Sequence, residues 1–190
     1  MKRVVLASTS PWRRRMLADV GVDALGEAPG VDERAFVDDD PVSLARTLAL
    51  AKARAVAARH PDAWTIGADQ VVHQDGEVFG KPVDADDHRA RLGSMRGRSH
   101  ELVTGWAVVG PEGEAVGHRV TRMVVRADLD DAELDAYVAS GEGAGCAGGY
   151  AAEGRGAFLF AAVDGDWFNV VGLPVFDVLG ELRRRGWRYR

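Results

Sequence analysis

The stretch RVVLASTSPWRRRMLADV, residues 3–20, commits the chain to a strand that runs through a tight Ser-Thr-Ser loop directly into a helix. Arg3 to Ala7 is β-branched and apolar, as a short buried strand requires. Ser10 is a good N-cap, because its side-chain oxygen accepts from an otherwise unpaired backbone N–H. Pro11 suits the first helical position, where its missing N–H would have had no partner. Met16, Leu17 and Val20 then fall on one side of a helix from Pro11 to about Val20.

The alternation continues. Residues 22–40 read as acidic and irregular. Pro41 to His60 is a long Ala- and Leu-rich helix, with Leu44, Leu48, Ala55 and Val56 marking its buried stripe. Trp64 to Val72 reads as a strand, Asp75-Gly76 as a turn and Asp84 to Met95 as a helix. His100 to Val109 and Ala115 to Ala127 are two longer strands joined through Pro111-Glu112-Gly113. Asp130 to Ser140 is a helix with a capping acid, and Gly143 to Gly156 is glycine-rich. Ala157 to Val163 and Phe168 to Val171 read as strands, and Pro174 to Arg185 as the last helix. This mixture predicts an α/β fold, with the two central strands available for a second lobe. No repeat, linker or low-complexity tail interrupts it, so a single domain over residues 1–190 is expected.

Composition excludes several classes. With 46% hydrophobic and 28% charged residues in 190, a core is expected and disorder is not. A net charge of −5 argues against a general nucleic-acid binder. The single cysteine, Cys146, excludes an internal disulfide framework and a Cys-rich zinc site. No apolar run is long enough to span a membrane. The stretch MKRVVLASTS is too short in apolar residues for a secretory signal. The expectation is a soluble cytoplasmic protein that engages neither nucleic acid nor membrane.

Several residues carry chemistry. A strand, a Ser-Thr-Ser loop and a helix N-terminus form a common anion site. Ser8 and Ser10 offer hydroxyls, and Arg13 offers a guanidinium fork. Arginines at the positive end of a helix dipole are unfavourable unless an anion sits there. Arg14 and Arg15 read as solvated surface charge. In TIGADQVV, Asp69 and Gln70 interrupt an apolar strand. A buried carboxylate needs a metal, a partner or a task, unless it merely caps a turn. Lys52 lies four residues from both Leu48 and Val56, so it points along the buried stripe, where it snorkels or meets an anion. Lys81, between Gly80 and Pro82, has a short fixed reach suited to a phosphate, or is a surface lysine. Glu33, in an acidic loop, is a metal ligand or a solvated carboxylate. GAGCAG at residues 143–148 formally matches a dinucleotide fingerprint, but it follows a helix and lacks the strand that fingerprint needs. There is no Walker lysine loop and no G-x-S-x-G elbow.

Taken in order, STSPWR, the long helix with Lys52, GADQVV, GKP, CAGGYAAEGRGAFLF and DWFNVVGLP resemble the Maf family of nucleoside triphosphate pyrophosphatases over nearly the whole chain. The resemblance implies an elongated mixed sheet with flanking helices, in two lobes around a cleft, related to inosine triphosphate pyrophosphatases. It implies hydrolysis of a nucleotide to its monophosphate and pyrophosphate with a divalent cation (Mg, Mn or Co), and a homodimer. It assigns phosphate binding to Ser8, Ser10, Arg13, Lys52 and Lys81, catalysis to Asp69, and the metal to Glu33 with Asp69. Asp69 is then proton acceptor or metal ligand.

Within that family, a branch preferring dTTP and UTP typically carries Arg, Thr and Gln at three discriminating places. A branch preferring 7-methyl-GTP carries Trp, Gln and Glu. Here those places read Trp12, Gln70 and Glu153, and the CAG at residues 146–148 also resembles the second branch. A 7-methylated guanine ring is cationic, so a Trp face and a carboxylate both attract it. Trp12 as a core aromatic and Glu153 as a surface acid are the plainer readings. Two alternatives stand beside 7-methyl-GTP hydrolysis: a dTTP/UTP pyrophosphatase, and a nucleotide-binding regulator of cell division that needs the phosphate pocket without Asp69.

Overall fold

The computed structural model describes residues 2–189. Its seven strands are β1 (Val4–Leu6), β2 (Ala24–Gly26), β3 (Trp64–Gln74), β4 (Glu77–Phe79), β5 (Ser99–Gly110), β6 (Gly113–Val125) and β7 (Phe160–Asp164). They form one mixed sheet in the order β2-β1-β3-β5-β6-β7, with β4 paired to β3. β1 runs parallel to both neighbours, with Val4 opposite Ala24 and Trp64. β4 and β7 pair antiparallel with β3 and β6. The β3–β4 hairpin turns on Asp75 (φ 51°) and Gly76 (φ 89°), two successive left-handed residues as a type I′ turn requires. The fold is α/β.

Side-chain caps set the helix starts. Ser10 Oγ accepts from the Arg13 N–H at 3.3 Å before α1 (Pro11–Asp19). Asp40 accepts from the Val42 N–H at 3.0 Å before α2 (Pro41–Ala57). Asp84 accepts from the Asp87 N–H at 2.8 Å before α3 (Ala85–Met95). α4 (Asp131–Ala139) opens on a reciprocal box, in which Asp130 and Glu133 each accept from the other's backbone N–H. α5 (Trp167–Val170) and α6 (Val175–Arg184) follow.

The chain divides into two compact units. The first takes the residues through Gln70, Val103–Arg119 and those from Gly172; the second takes Val71–Leu102 and Val120–Val171. In the first, α2 lies very close to the sheet. A Cβ on Gly67 would stand 2.1 Å from the Ala49 carbonyl oxygen, and one on Gly105 2.1 Å from that of Ala45. Only a bare Cα admits a helix backbone at that range. The buried face of α2 is therefore Ala45, Leu48, Ala49, Lys52, Ala53 and Val56. Leu44 and Ala55, expected on that stripe, are half-buried. In the second unit Val72, Leu92, Leu102, Met123, Leu134 and Tyr150 belong to one core.

Some expected elements differ. Residues 22–40 contain β2 and a 3₁₀ turn at Glu33–Ala35. β2 is three residues long and owes its conformation to pairing with β1, so its own pattern is silent. The segment from Phe168 to Val171, β-like in composition, lies largely in α5. Asp166 accepts from the Phe168 N–H at 2.9 Å and starts a helical turn instead. The strand expected from Ala157 starts only at Phe160, because Arg155–Leu159 is a 3₁₀ turn.

Candidate active site

Lys52 is buried because Leu48 and Val56, one turn either side, are buried with it. Its Nζ lies 2.5 Å from Asp69 Oδ1 and 2.6 Å from Glu33 Oε1. Asp69 is buried within β3, whereas Glu33 is exposed at the start of its 3₁₀ turn. An ammonium has three N–H donors, so two carboxylates leave one to face a further anion.

Arg13 reaches the same place from α1. Its Nε donates to the Gly172 carbonyl at 2.7 Å and its Nη1 to the Ala68 carbonyl at 2.8 Å. Burial lowers its pKa, while Asp69 and Glu33 act to raise it again. Arg13, Lys52, Asp69 and Glu33 thus form a cluster of two cations and two anions. The fork expected on a phosphate is partly committed: two of the five guanidinium N–H donors hold backbone, and one of those carbonyls immediately precedes Asp69.

Ser8 Oγ accepts from the Ser10 N–H at 3.1 Å, and Ser10 Oγ accepts from the Arg13 N–H. Both hydroxyl oxygens are engaged as acceptors, and each hydroxyl keeps its O–H to donate to an anion. The amides of Ser10 and Arg13 are taken by these serines, the second as the reading of Ser10 as an N-cap expects. Trp12 is 51% exposed in the first turn of α1, so it is not a core aromatic. Arg14 and Arg15 are exposed, and Arg15 faces Asp19 at 3.5 Å, as their reading as surface charge expects.

Gln70 Nε2 donates to Thr104 Oγ1 at 3.0 Å. A Cβ on Gly172 (φ 105°) would lie 3.5 Å from Arg13 Nε and 4.0 Å from Gln70 Oε1. Gly172, Thr104 and the Ala68 carbonyl are the participants that sequence reading missed. The glycine before Leu-Pro in VVGLP was their one visible signal.

Lys81 and Glu153 belong to the second unit. Lys81 is exposed, just after β4. The preceding carbonyl, Gly80 O, accepts from Arg91 and from the Gly148 N–H at 3.3 Å, so the backbone at its base is anchored. Glu153 is half-buried in a turn. Burial and then the nearby Glu153 carboxylate raise the pKa of the Cys146 thiol. The GAGCAG run follows α4 and leads into a 3₁₀ turn at Ala147–Gly149, with left-handed backbone at Gly143, Gly148 and Gly149. It has no strand–helix setting for a dinucleotide.

Among the described residues no three His, Cys, Asp or Glu side chains converge as a metal site. Asp69 and Glu33 do converge, on the Lys52 ammonium. Two hard carboxylate ligands fit a cation of the Mg²⁺ type, which is commonly held by one or two carboxylates and substrate phosphates.

The chain matches the Maf-like protein family over residues 3–185. It is 44% identical over 188 residues to a dTTP/UTP pyrophosphatase from Symbiobacterium thermophilum, covering 98% of this chain and 96% of that protein. It is 44% identical over 182 residues to a dTTP/UTP pyrophosphatase from Moorella thermoacetica, covering 94% and 92%. A 7-methyl-GTP pyrophosphatase from Xanthomonas campestris pv. campestris is 41% identical over 188 residues, covering 98% and 97%. With a family match across nearly its full length and relatives aligned end to end, the chain belongs to the Maf-like protein family.

Proposed function

We propose that this protein is a nucleoside triphosphate pyrophosphatase and that its preferred substrate is 7-methyl-GTP. The observation that carries the reading is the Lys52 ammonium between Asp69 and Glu33, beside Arg13. Relatives named as pyrophosphatases support the reaction class.

Water attacks the α-phosphorus, the bond from that phosphorus to the bridging oxygen breaks, and pyrophosphate leaves. The proton lost by water passes to the Asp69 carboxylate. Lys52 orients that carboxylate and donates its remaining N–H to a phosphate oxygen. Ser8 and Ser10 donate their hydroxyl hydrogens to phosphate, and the remaining Arg13 donors add positive charge on the leaving group. The family resemblance assigns Lys81 to phosphate as well. The four-residue charge cluster sums to zero, so by itself it does not neutralise a triphosphate. A divalent cation held by Glu33 and substrate phosphates would supply that neutralisation and would acidify water; Asp69 joins it as a ligand in the alternative in which it is not the proton acceptor.

For the base, Trp12 offers an exposed indole face and Glu153 a carboxylate, both attractive to a cationic 7-methylguanine ring. A second reading, dTTP/UTP hydrolysis, is favoured by the names of the two relatives at 44% identity. A panel of purified nucleotides, methylated ones included, assayed for stoichiometric pyrophosphate release with Mg²⁺, Mn²⁺ or Co²⁺, tests both. Highest kcat/KM on 7-methyl-GTP is the expected result; highest on dTTP or UTP replaces it with the second reading. Nucleotide binding without pyrophosphate release would make the protein a binding regulator instead.

A further inference from the structure

The glycine-rich segment from Cys146 to Gly156 has no regular ladder to hold it, yet side chains anchor it from both sides of Glu153. His88 Nε2 lies 2.5 Å from the Gly149 carbonyl, and His100 Nε2 lies 2.5 Å from Tyr150 Oη. The Ala151 N–H donates to Tyr137 Oη at 3.0 Å. Beyond Glu153, the two oxygens of one carboxylate take two successive amides. Glu142 Oε1 accepts from the Arg155 N–H at 3.1 Å, and Oε2 accepts from the Gly156 N–H at 2.8 Å. Those amides lower the Glu142 pKa against the opposing effect of burial, so the group is an anion at neutral pH.

The glycines follow from this clamp. A Cβ on Gly154 would lie 2.5 Å from Glu142 Oε1. A Cβ on Gly156 would lie 2.7 Å from Tyr137 Oη and 2.6 Å from the Ala151 carbonyl. The Gly-Arg-Gly sequence is therefore shaped for an internal carboxylate and a tyrosine hydroxyl, not for a nucleotide. Ala152 is buried and Gly154 turns back with its N–H on the Ala151 carbonyl at 3.1 Å, which presents Glu153 at the head of the turn.

We infer that Glu142 is a specificity-positioning residue: its bidentate grip on the Arg155 and Gly156 amides, with Tyr137 on the Ala151 amide, holds the turn that presents Glu153 to the base. This rests on the reading of Glu153 as a contact to a cationic base. A carboxylate on a fixed turn keeps its distance to the ring and keeps water from between them, and the Coulomb attraction drops about fourfold when the effective dielectric rises from about 20 to that of bulk water. Loosening the turn should therefore cost base preference and spare phosphate chemistry.

The test compares wild type, Glu142→Ala, Glu142→Gln and Glu153→Gln. One readout is the ratio of kcat/KM for 7-methyl-GTP to that for GTP. The other is trypsin cleavage after the exposed Arg155, whose bond to Gly156 lies inside the clamp. Glu142→Ala should be cleaved faster, and its ratio should fall by roughly three- to tenfold, with GTP hydrolysis changed by less than about threefold. Glu142→Gln keeps one acceptor oxygen and should fall between wild type and Glu142→Ala. Faster cleavage with an unchanged ratio, while Glu153→Gln does shift it, overturns the positioning role and leaves the base reading intact. Unchanged cleavage in Glu142→Ala overturns the clamp itself. A ratio that Glu153→Gln fails to shift removes the base reading, and this inference with it.

Discussion

The Lys52 ammonium stands 2.5 Å from the Asp69 carboxylate, both buried, with one on helix α2 and the other on strand β3. Removing one partner of such a pair leaves an uncompensated charge out of water. Lys52→Met should therefore destabilise the fold by about 3–5 kcal/mol. Adding Asp69→Asn should recover a good part of that loss. Urea unfolding of the two single mutants and the double mutant measures the coupling, and strictly additive costs would refute it.

Chemistry should respond separately from stability. Asp69→Asn keeps the side-chain shape and, with metal present, should lower pyrophosphate release on every nucleotide by on the order of 10²-fold or more. Near-normal turnover in the folded mutant would take Asp69 out of the reaction.

Gly67→Ala should damage both halves of the pair at once. Its Cβ would meet the Ala49 carbonyl at 2.1 Å and the Ala53 N at 2.8 Å, so α2 must move off the sheet and carry Lys52 with it. Overpacking of this kind costs about 1–3 kcal/mol or more. Thermal unfolding and kcat should both drop. A mutant with unchanged Tm would mean that α2 does not pack this closely.

His100 makes stability depend on pH. It is 2% exposed, its Nε2 takes the Tyr150 hydroxyl, its Nδ1 has no partner among the described residues, and burial pushes its pKa down to about 4. The unfolded chain binds this proton from about pH 6.5 downward, whereas the folded protein resists it until about pH 4. Stability is therefore full above pH 6.5 and falls as the pH drops through that window. The loss is about 2 kcal/mol at pH 5. Urea midpoints at pH 7.5 and pH 5 measure it, and His100→Gln should flatten this part of the profile. A wild-type midpoint that does not change between those values would contradict the buried neutral imidazole.

Base preference should follow charge. Glu153→Gln removes a carboxylate and keeps the size, so it should reduce the advantage of 7-methyl-GTP over GTP more than it reduces GTP hydrolysis. Trp12→Arg should go further, because it replaces a stacking contribution of about 0.5–2 kcal/mol with a repulsion. The ratio of kcat/KM for the two nucleotides decides; if neither mutant moves it, charge is not what selects the base.

Much was legible from local chemistry alone. Ser10-Pro11 and Asp130 mark helix starts because capping acts over three residues, and both do cap, as Asp40 and Asp84 do before α2 and α3. Asp75-Gly76 turns the hairpin because left-handed backbone is a property of two residues. Lys52 stood out because i±4 neighbours share a helix face, and it is indeed buried.

What lies far apart in the chain only folding could decide. Asp69 and Glu33 meet Lys52 across 17 and 19 positions, and Arg13 spends donors on carbonyls 55 and 159 residues away. Backbone carbonyls leave no mark on sequence, so the commitment of Arg13 to Ala68 and Gly172 could not be read there. Short elements were lost for the same reason: β2 exists through its pairing with β1. The Gly143–Gly156 run was visible, but not its purpose. A glycine records only that something comes close, and the tertiary structure identifies the neighbours as the Glu142 carboxylate and the Tyr137 hydroxyl at Gly154 and Gly156.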